Sequence, residues 1–399
     1  MKKGQYQNSP QRLNRICAFP SVRLRPGLSV AESVFSMFAI GCWMFPPPVI
    51  QNVASKRLKM NAPRKISIVF AIAMVSLAHA AERPTVSGVG WPGIETIKAI
   101  PWIPGAFRHV LNPPGMAPNS KQQWYINDHC IFVDSSGRLH WFGITNPYPT
   151  NRNYYGPGTH RHIGHAVADH PFGPWQAREH ALSLPPDTKE SIGACFVVRG
   201  TNEYLMIYGF NNGFHFARSD DLETWQKDPR GAALDLGKGT RDPCVHRLDD
   251  GTYLLYGAAG HAGRSAVVLA SSRDLAHWTP APPALLSDVA IDWGALESPF
   301  LHKRGDDYYL FVNFSHRQYE ETLVFHSRDP RKFDWSSPLC TLFAHAAEVF
   351  VWRGKTYITH CGIEDRHWSD IGAPYGLWLA ELEWAKPITA NLPDAGSGK

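Results

Sequence analysis

From about residue 124 onward the chain alternates short apolar runs with polar turns and shows almost no helical periodicity. Cys130-Ile131-Phe132-Val133 gives way to Ser136-Gly137, and then to Leu139-His140-Trp141-Phe142-Gly143. The same layout recurs as Asp242–Arg247, a turn at Asp249-Asp250-Gly251, the strand Tyr253–Gly257, a Gly-rich loop and the run Ser265–Ser271. It recurs again as Pro299–His302, a turn near Gly305-Asp306-Asp307, Tyr308–Val312 and Thr322–Ser327. Runs this short, joined by Asp-Gly-type turns, predict β-hairpins.

The hairpins are set on a longer period. Trp175, Trp225, Trp278, Trp335 and Trp384 follow one another at intervals of 50, 53, 57 and 49 residues. Two of them end nearly the same phrase, Ser219-Asp220-Asp221-Leu222-Glu223-Thr224-Trp225 and Ser272-Arg273-Asp274-Leu275-Ala276-His277-Trp278. Units of about 50 residues, each with three or four strands, predict an all-β fold, a five-bladed β-propeller spanning 123–390. A solenoid of the same period needs polar capping units, and none is visible. The tryptophans are read as core residues between blades, and the Pro- and Gly-rich residues 81–122 as a strap leading into the first blade.

The ends change the charge picture. Residues 60–80 carry Arg64-Lys65, an apolar run Ile66–Leu77 and Ala78-His79-Ala80, the layout of a signal peptide. Residues 1–59 then read as a mis-assigned or disordered extension, and the destination as periplasmic or secreted. The first 80 residues hold 11 Lys and Arg against one acid, Glu32, which leaves 29 basic and 34 acidic residues beyond them. The formal +5 of the whole chain therefore lies in its leader, and nothing in the remainder suggests a nucleic-acid surface. The apolar run is too short for a comfortable membrane span, so no stable span is expected in the mature chain. Five cysteines remain there, an odd count that argues against a disulfide framework. They read as small buried hydrophobes.

In a propeller the first strand of each blade lines the central channel, so its leading residues converge on one mouth. Three blades bring acids there: Asp128 in Asn127-Asp128-His129, Asp242 in Arg241-Asp242-Pro243, and Glu297 in Leu296-Glu297-Ser298-Pro299. Clustered carboxylates repel one another, so at least one should hold its proton abnormally long. A protonated acid beside an ionised one is the pair that glycosidic bond cleavage requires. Each acid alone has a structural reading, as a turn residue or a brace. The three together, at matching places in three blades, favour catalysis. Asn127, Arg241, Trp124 and Trp293 flank the acids as candidate substrate contacts. Arg241 reads equally as the partner of a neighbouring acid, and the two tryptophans nearly as well as core residues.

These motifs resemble the five-bladed propeller glycosidases of glycoside hydrolase families 43 and 32, over roughly residues 120–385. The resemblance implies a glycosidase acting on an oligosaccharide or polysaccharide. Glu297 would be general acid, Asp128 base or nucleophile, and Asp242 a stabiliser that tunes the acid. It also implies that no redox cofactor is required, that His345, a further candidate substrate contact, lies near the channel axis, and that a central structural ion such as calcium is compatible with the fold. The match to either family is inexact. Family 32 usually continues Asn-Asp-Pro-Asn-Gly where this chain has His129-Cys130, and family 43 usually lacks an Arg at the place of Arg241. An inverting enzyme of the arabinosidase or xylosidase type is the first expectation. A retaining β-fructosidase and a non-catalytic carbohydrate-binding propeller are the alternatives.

Overall fold

The repeated phrase ending in tryptophan folds as one turn used twice. Ser219 Oγ accepts the Leu222 N–H at 2.9 Å, and Asp221 Oδ1 accepts those of Glu223 and Thr224 at 2.9 and 2.7 Å. Ser272 and Asp274 do the same for Leu275, Ala276 and His277 at 2.9, 2.9 and 2.8 Å. Side-chain oxygens thus take the backbone donors that a tight turn leaves unpaired. Leu222 and Leu275, at φ values of 66° and 60°, are buried. The Trp225 indole N–H then donates to the Leu222 carbonyl at 3.1 Å, fixing the ring against the core.

The computed structural model describes residues 99–111, 124–147, 160–210, 213–228, 234–290, 295–315, 321–362 and 376–385, all within the unit Ser76–Lys399. The expected extension 1–59, the signal peptide 60–80 and most of the strap lie outside the described residues. Five antiparallel sheets follow in chain order. Blade I runs outward from Trp124–Val133 through Leu139–Pro147 and His162–Ala168 to Gln176–Ala177, with Leu182–Ser183 also pairing to the third strand. Blade II comprises Ile192–Arg199, Tyr204–Phe210, Gly213–Ser219 and Gln226–Lys227. Blade III comprises Lys238–Arg247, Tyr253–His261, Arg264–Ser272 and Thr279–Ala290. Blade IV comprises Glu297–Arg304, Asp307–Asn313, Glu321–Ser327 and Pro338–Phe343. Blade V has Val349–Trp352, Lys355–His360 and Leu377–Glu381.

The outermost strand of blade V is Arg108–Leu111, from the opposite end of the fold. Ile100–Trp102 pairs likewise with Glu383–Ala385. Residues within the expected strap therefore close the ring, pairing the first described strands with the last.

The spaces between blades are filled by side chains that alternate along the strands. Phe142, Ile144 and Ile163 of blade I pack with Val197, Met206 and Tyr208 of blade II. Leu205, Ile207 and Phe214 of blade II pack with Val245, Tyr253 and Leu255 of blade III. One cluster carries Tyr256, Tyr309, Phe311, Phe325, Val349 and Ile358 across blades III to V. Another joins Phe350, Trp352 and Tyr357 of blade V to Leu139, Trp141 and Ala166 of blade I, which completes the circle. Every repeating tryptophan belongs to or packs against one of these clusters, in accord with its reading as a core residue.

One segment differs from expectation. The Gly-rich stretch after Tyr253 is not a loop, since the strand runs on to His261 and turns at Ala262-Gly263. Gly257 lies inside that strand because the Phe214 ring of blade II occupies the space its Cβ would need.

Candidate active site

The inner strands of blades I to IV all slip register near their starts. The shifts fall between Ile126 and His129, Ile192 and Cys195, Arg241 and Cys244, and Glu297 and Phe300. A bulge takes residues out of the ladder and re-aims their side chains. In blades I, III and IV the re-aimed residues include Asp128, Asp242 and Ser298. Pro243 and Pro299 suit these places because neither has an N–H to give to a ladder. Asp242 and Ser298 adopt left-handed φ values of 55° and 46°, and Ala346 ahead of blade V's inner strand adopts 49°. Such conformations cost a non-glycine residue about 1–3 kcal/mol and concentrate at functional sites.

The three expected acids do come together, around Arg241. Its Nη2 donates to Glu297 Oε1 at 3.1 Å and to the Leu296 carbonyl at 3.2 Å, and its Nη1 donates to the Gly239 carbonyl at 3.2 Å. Its Nε lies 3.5 Å from Asp242 Oδ2. Ser298 links the other two acids: its backbone N–H donates to Asp242 Oδ2 at 3.1 Å, and its hydroxyl donates to Asp128 Oδ2 at 3.0 Å. Both readings of Arg241 offered by the sequence meet in one geometry, because it is an ion-pair partner placed among the acids.

Three carboxylates share one guanidinium in a site largely shut off from water. Burial pushes Glu297 up to about 8; Asp242 and Asp128 add to the rise and Arg241 opposes it. Burial likewise raises Asp242 to about 6, with Arg241 opposing and Asp128 reinforcing. Asp128 is raised by burial against the Ser298 hydroxyl and Arg241. At neutral pH Glu297 therefore holds a proton next to a carboxylate that has released its own. One site thus offers a proton donor and a proton acceptor.

His345 stands on the far side of Asp128, its Nε2 3.8 Å from Asp128 Oδ1. Burial lowers His345 to about 4, so the ring is neutral at neutral pH. Its Nδ1–H donates to the Gly362 carbonyl at 2.5 Å, which leaves Nε2 as an acceptor facing the acid. The His345 backbone N–H donates to His360 Nδ1 at 2.9 Å. Asn127 is buried beside this group, and the Cys361 thiol approaches its Oδ1 at 3.7 Å. Glu348 lies nearby; burial pushes its carboxyl well above the usual range, with Cys130 and Asp128 adding to the rise.

Asp128, His345 and Cys361 are close enough to share an ion. One carboxylate, one imidazole and one thiol do not suit calcium, which takes about six to eight oxygens. The five cysteines beyond the leader are free, and four of them are buried.

Of the expected site residues, Asp128, Asp242, Glu297, Arg241, Asn127 and His345 gather in this buried cluster. Trp293 and the side chain of Trp124 lie outside the described residues. The sequence reading missed Ser298 and Cys361. The one sign of Ser298 is that Ser298-Pro299 repeats the residue-then-proline step of Asp242-Pro243.

No family model matches the chain, and no curated protein sequence does. Solved structures do resemble it. A mutant of the Bombyx mori GH32 β-fructofuranosidase BmSUC1, in complex with sucrose, superposes with a TM-score of 0.52 at 17% identity, over 71% of this chain and 65% of that one. Fructan 1-exohydrolase IIa from Cichorium intybus gives 0.50 at 15% identity, over 71% and 60%. CoXyl43, a GH43 β-xylosidase/α-arabinofuranosidase from a compost microbial metagenome, gives 0.48 at 14%, over 70% and 95%. This chain thus spans less than two thirds of the first two structures. What it has in common with those two is the fold, that of a five-bladed β-propeller.

Proposed function

We propose that the chain is a glycoside hydrolase in which Glu297 protonates the leaving oxygen, Asp128 activates the attacking water, and Asp242 holds the acid in place and tunes it. The observation that carries this reading is the contrast within one buried cluster. Glu297 is held protonated to about 8, whereas Asp242 beside it is raised only to about 6, and Asp128, itself raised by burial, is opposed in that rise by the Ser298 hydroxyl and Arg241. The substrate class is a furanoside or pyranoside end of a plant or algal polysaccharide fragment, and the first form of the mechanism is inverting. Residues 60–80 support export to the periplasm or beyond. Among the described residues no helix is long and apolar enough to cross a membrane.

A second form has Asp128 as the nucleophile of a retaining β-fructosidase. The observation favouring it is Arg241, placed between Asp242 and Glu297, where family 43 usually has no arginine. The fructosidase-type propellers above lend it a parallel in architecture alone. Hydrolysis should be screened on nitrophenyl arabinosides, xylosides and galactosides and on fructan, with NMR reading the first-formed anomer. Inversion supports the first form and retention the second. Sugar binding without turnover on any of these substrates would overturn the enzymatic reading in favour of a carbohydrate-binding propeller.

A further inference from the structure

Ser298 contacts two acids that belong to two other blades and is covalently joined to the third. It does so at φ 46°, a conformation that glycine adopts freely and serine does not. A glycine here would keep the N–H bond to Asp242 and relieve the strain. What only the serine adds is the hydroxyl, 3.0 Å from Asp128 Oδ2. We propose that Ser298 is a positioning residue whose hydroxyl aims the Asp128 carboxyl, while its backbone amide separately fixes Asp242. The inference rests on the reading of Asp128 as base or nucleophile, and it assigns the orientation of that group to a residue of another blade.

The hydrogen bond favours the charged form of Asp128, since an O–H donor stabilises a carboxylate more than a neutral acid. Other charged or titratable groups around Asp128 are Arg241 and Asp242 from blade III, Glu297 from blade IV, and His345, Glu348 and Cys361 from the blade V side. All of them remain when the hydroxyl alone is removed.

The test is Ser298→Gly, which needs no strained backbone and therefore should fold. The full chain, labelled with ¹³C at aspartate carboxyls, is titrated by NMR, with Asp128→Asn and Asp242→Asn assigning the two signals. In Ser298→Gly the Asp128 midpoint should move upward and the Asp242 midpoint should stay, because its donor is backbone. On any glycoside the protein hydrolyses, the acidic limb of kcat/KM should move up with it, giving about a tenfold loss on that limb, while the alkaline limb set by Glu297 holds. An unmoved Asp128 midpoint, or an equal movement of both aspartates, overturns the proposal. A wild-type chain that hydrolyses nothing defeats the enzymatic reading, but the carboxyl titration still decides the role of Ser298.

Discussion

Arg241 Nη2 lies 3.1 Å from Glu297 Oε1, yet the carboxyl it contacts still keeps its proton to about pH 8. A lone arginine at that distance would pull a carboxylic acid well below its ordinary range. Here the guanidinium is divided among three acids, and burial outweighs it. The result is an acid that stays loaded at neutral pH while remaining oriented by a fixed cation.

Replacing that acid gives the most direct test of its role. Glu297→Gln keeps the shape and a hydrogen-bonding oxygen for Arg241 but has no proton to transfer. Hydrolysis of substrates with poor leaving groups should fall by about 10²–10⁴-fold. Nitrophenyl substrates, whose leaving groups depart without help, should lose less. Circular dichroism and the unfolding midpoint should show an intact fold. Substantial activity on an unactivated glycoside would remove Glu297 from the acid role.

The pH profile of kcat/KM should be bell-shaped, with the alkaline limb near 8, where Glu297 loses its proton. The acidic limb belongs to the aspartates jointly, and Asp242 is held near 6. Arg241 lowers both Asp242 and Glu297, so Arg241→Gln should move both limbs upward. A profile that keeps its limbs and loses only height would assign Arg241 to substrate binding alone.

The raised acid also makes stability depend on pH. Glu297 goes from 4.5 in the reference state to about 8 in the fold, so the folded protein binds the proton more tightly than the unfolded chain. Its contribution is fully present below about 4.5 and is lost as the pH rises through 8. Glu297→Gln lacks this dependence. Its thermal midpoint relative to wild type should climb between pH 5 and 9, by at least about 2 °C. A constant difference across that range would contradict the assigned shift.

How far the sequence disclosed this site follows from what each feature is made of. The tryptophan period reports core packing, which is sequence-local, so Trp175 to Trp384 mark all five units and locate the inner strands. Asp128, Asp242 and Glu297 follow from that map. The bulges do not, because a register slip depends on the partner strand and leaves only a faint trace, the prolines at 243 and 299. Left-handed backbone at Asp242 and Ser298 is equally hidden, since neither is glycine. Ser298 was missed because its partners lie 170 and 56 residues away, in blades whose angular placement no local pattern gives. The closing strand Arg108–Leu111 was likewise obscured, being remote from the blade it completes and lacking the repeat's tryptophan.

Ring closure itself can be tested at Gly376. It has φ 155° and sits against Arg108–Leu111, where a Cβ would collide with the His109 ring and the Leu111 carbonyl. The carbonyl is backbone and cannot turn aside, so an added methyl must push the closing strand outward. Gly376→Ala should cost about 1–3 kcal/mol, lowering the thermal midpoint by at least about 2 °C. Gly105→Ala is the control, because nothing lies within 4 Å of the Cβ it would gain. It should change stability by no more than about 0.5 kcal/mol. If closure through this strand holds the propeller together, Gly376→Ala should also admit protease at blade V before the other blades. Equal stability of the two variants would show that the Arg108–Leu111 pairing contributes little to the ring.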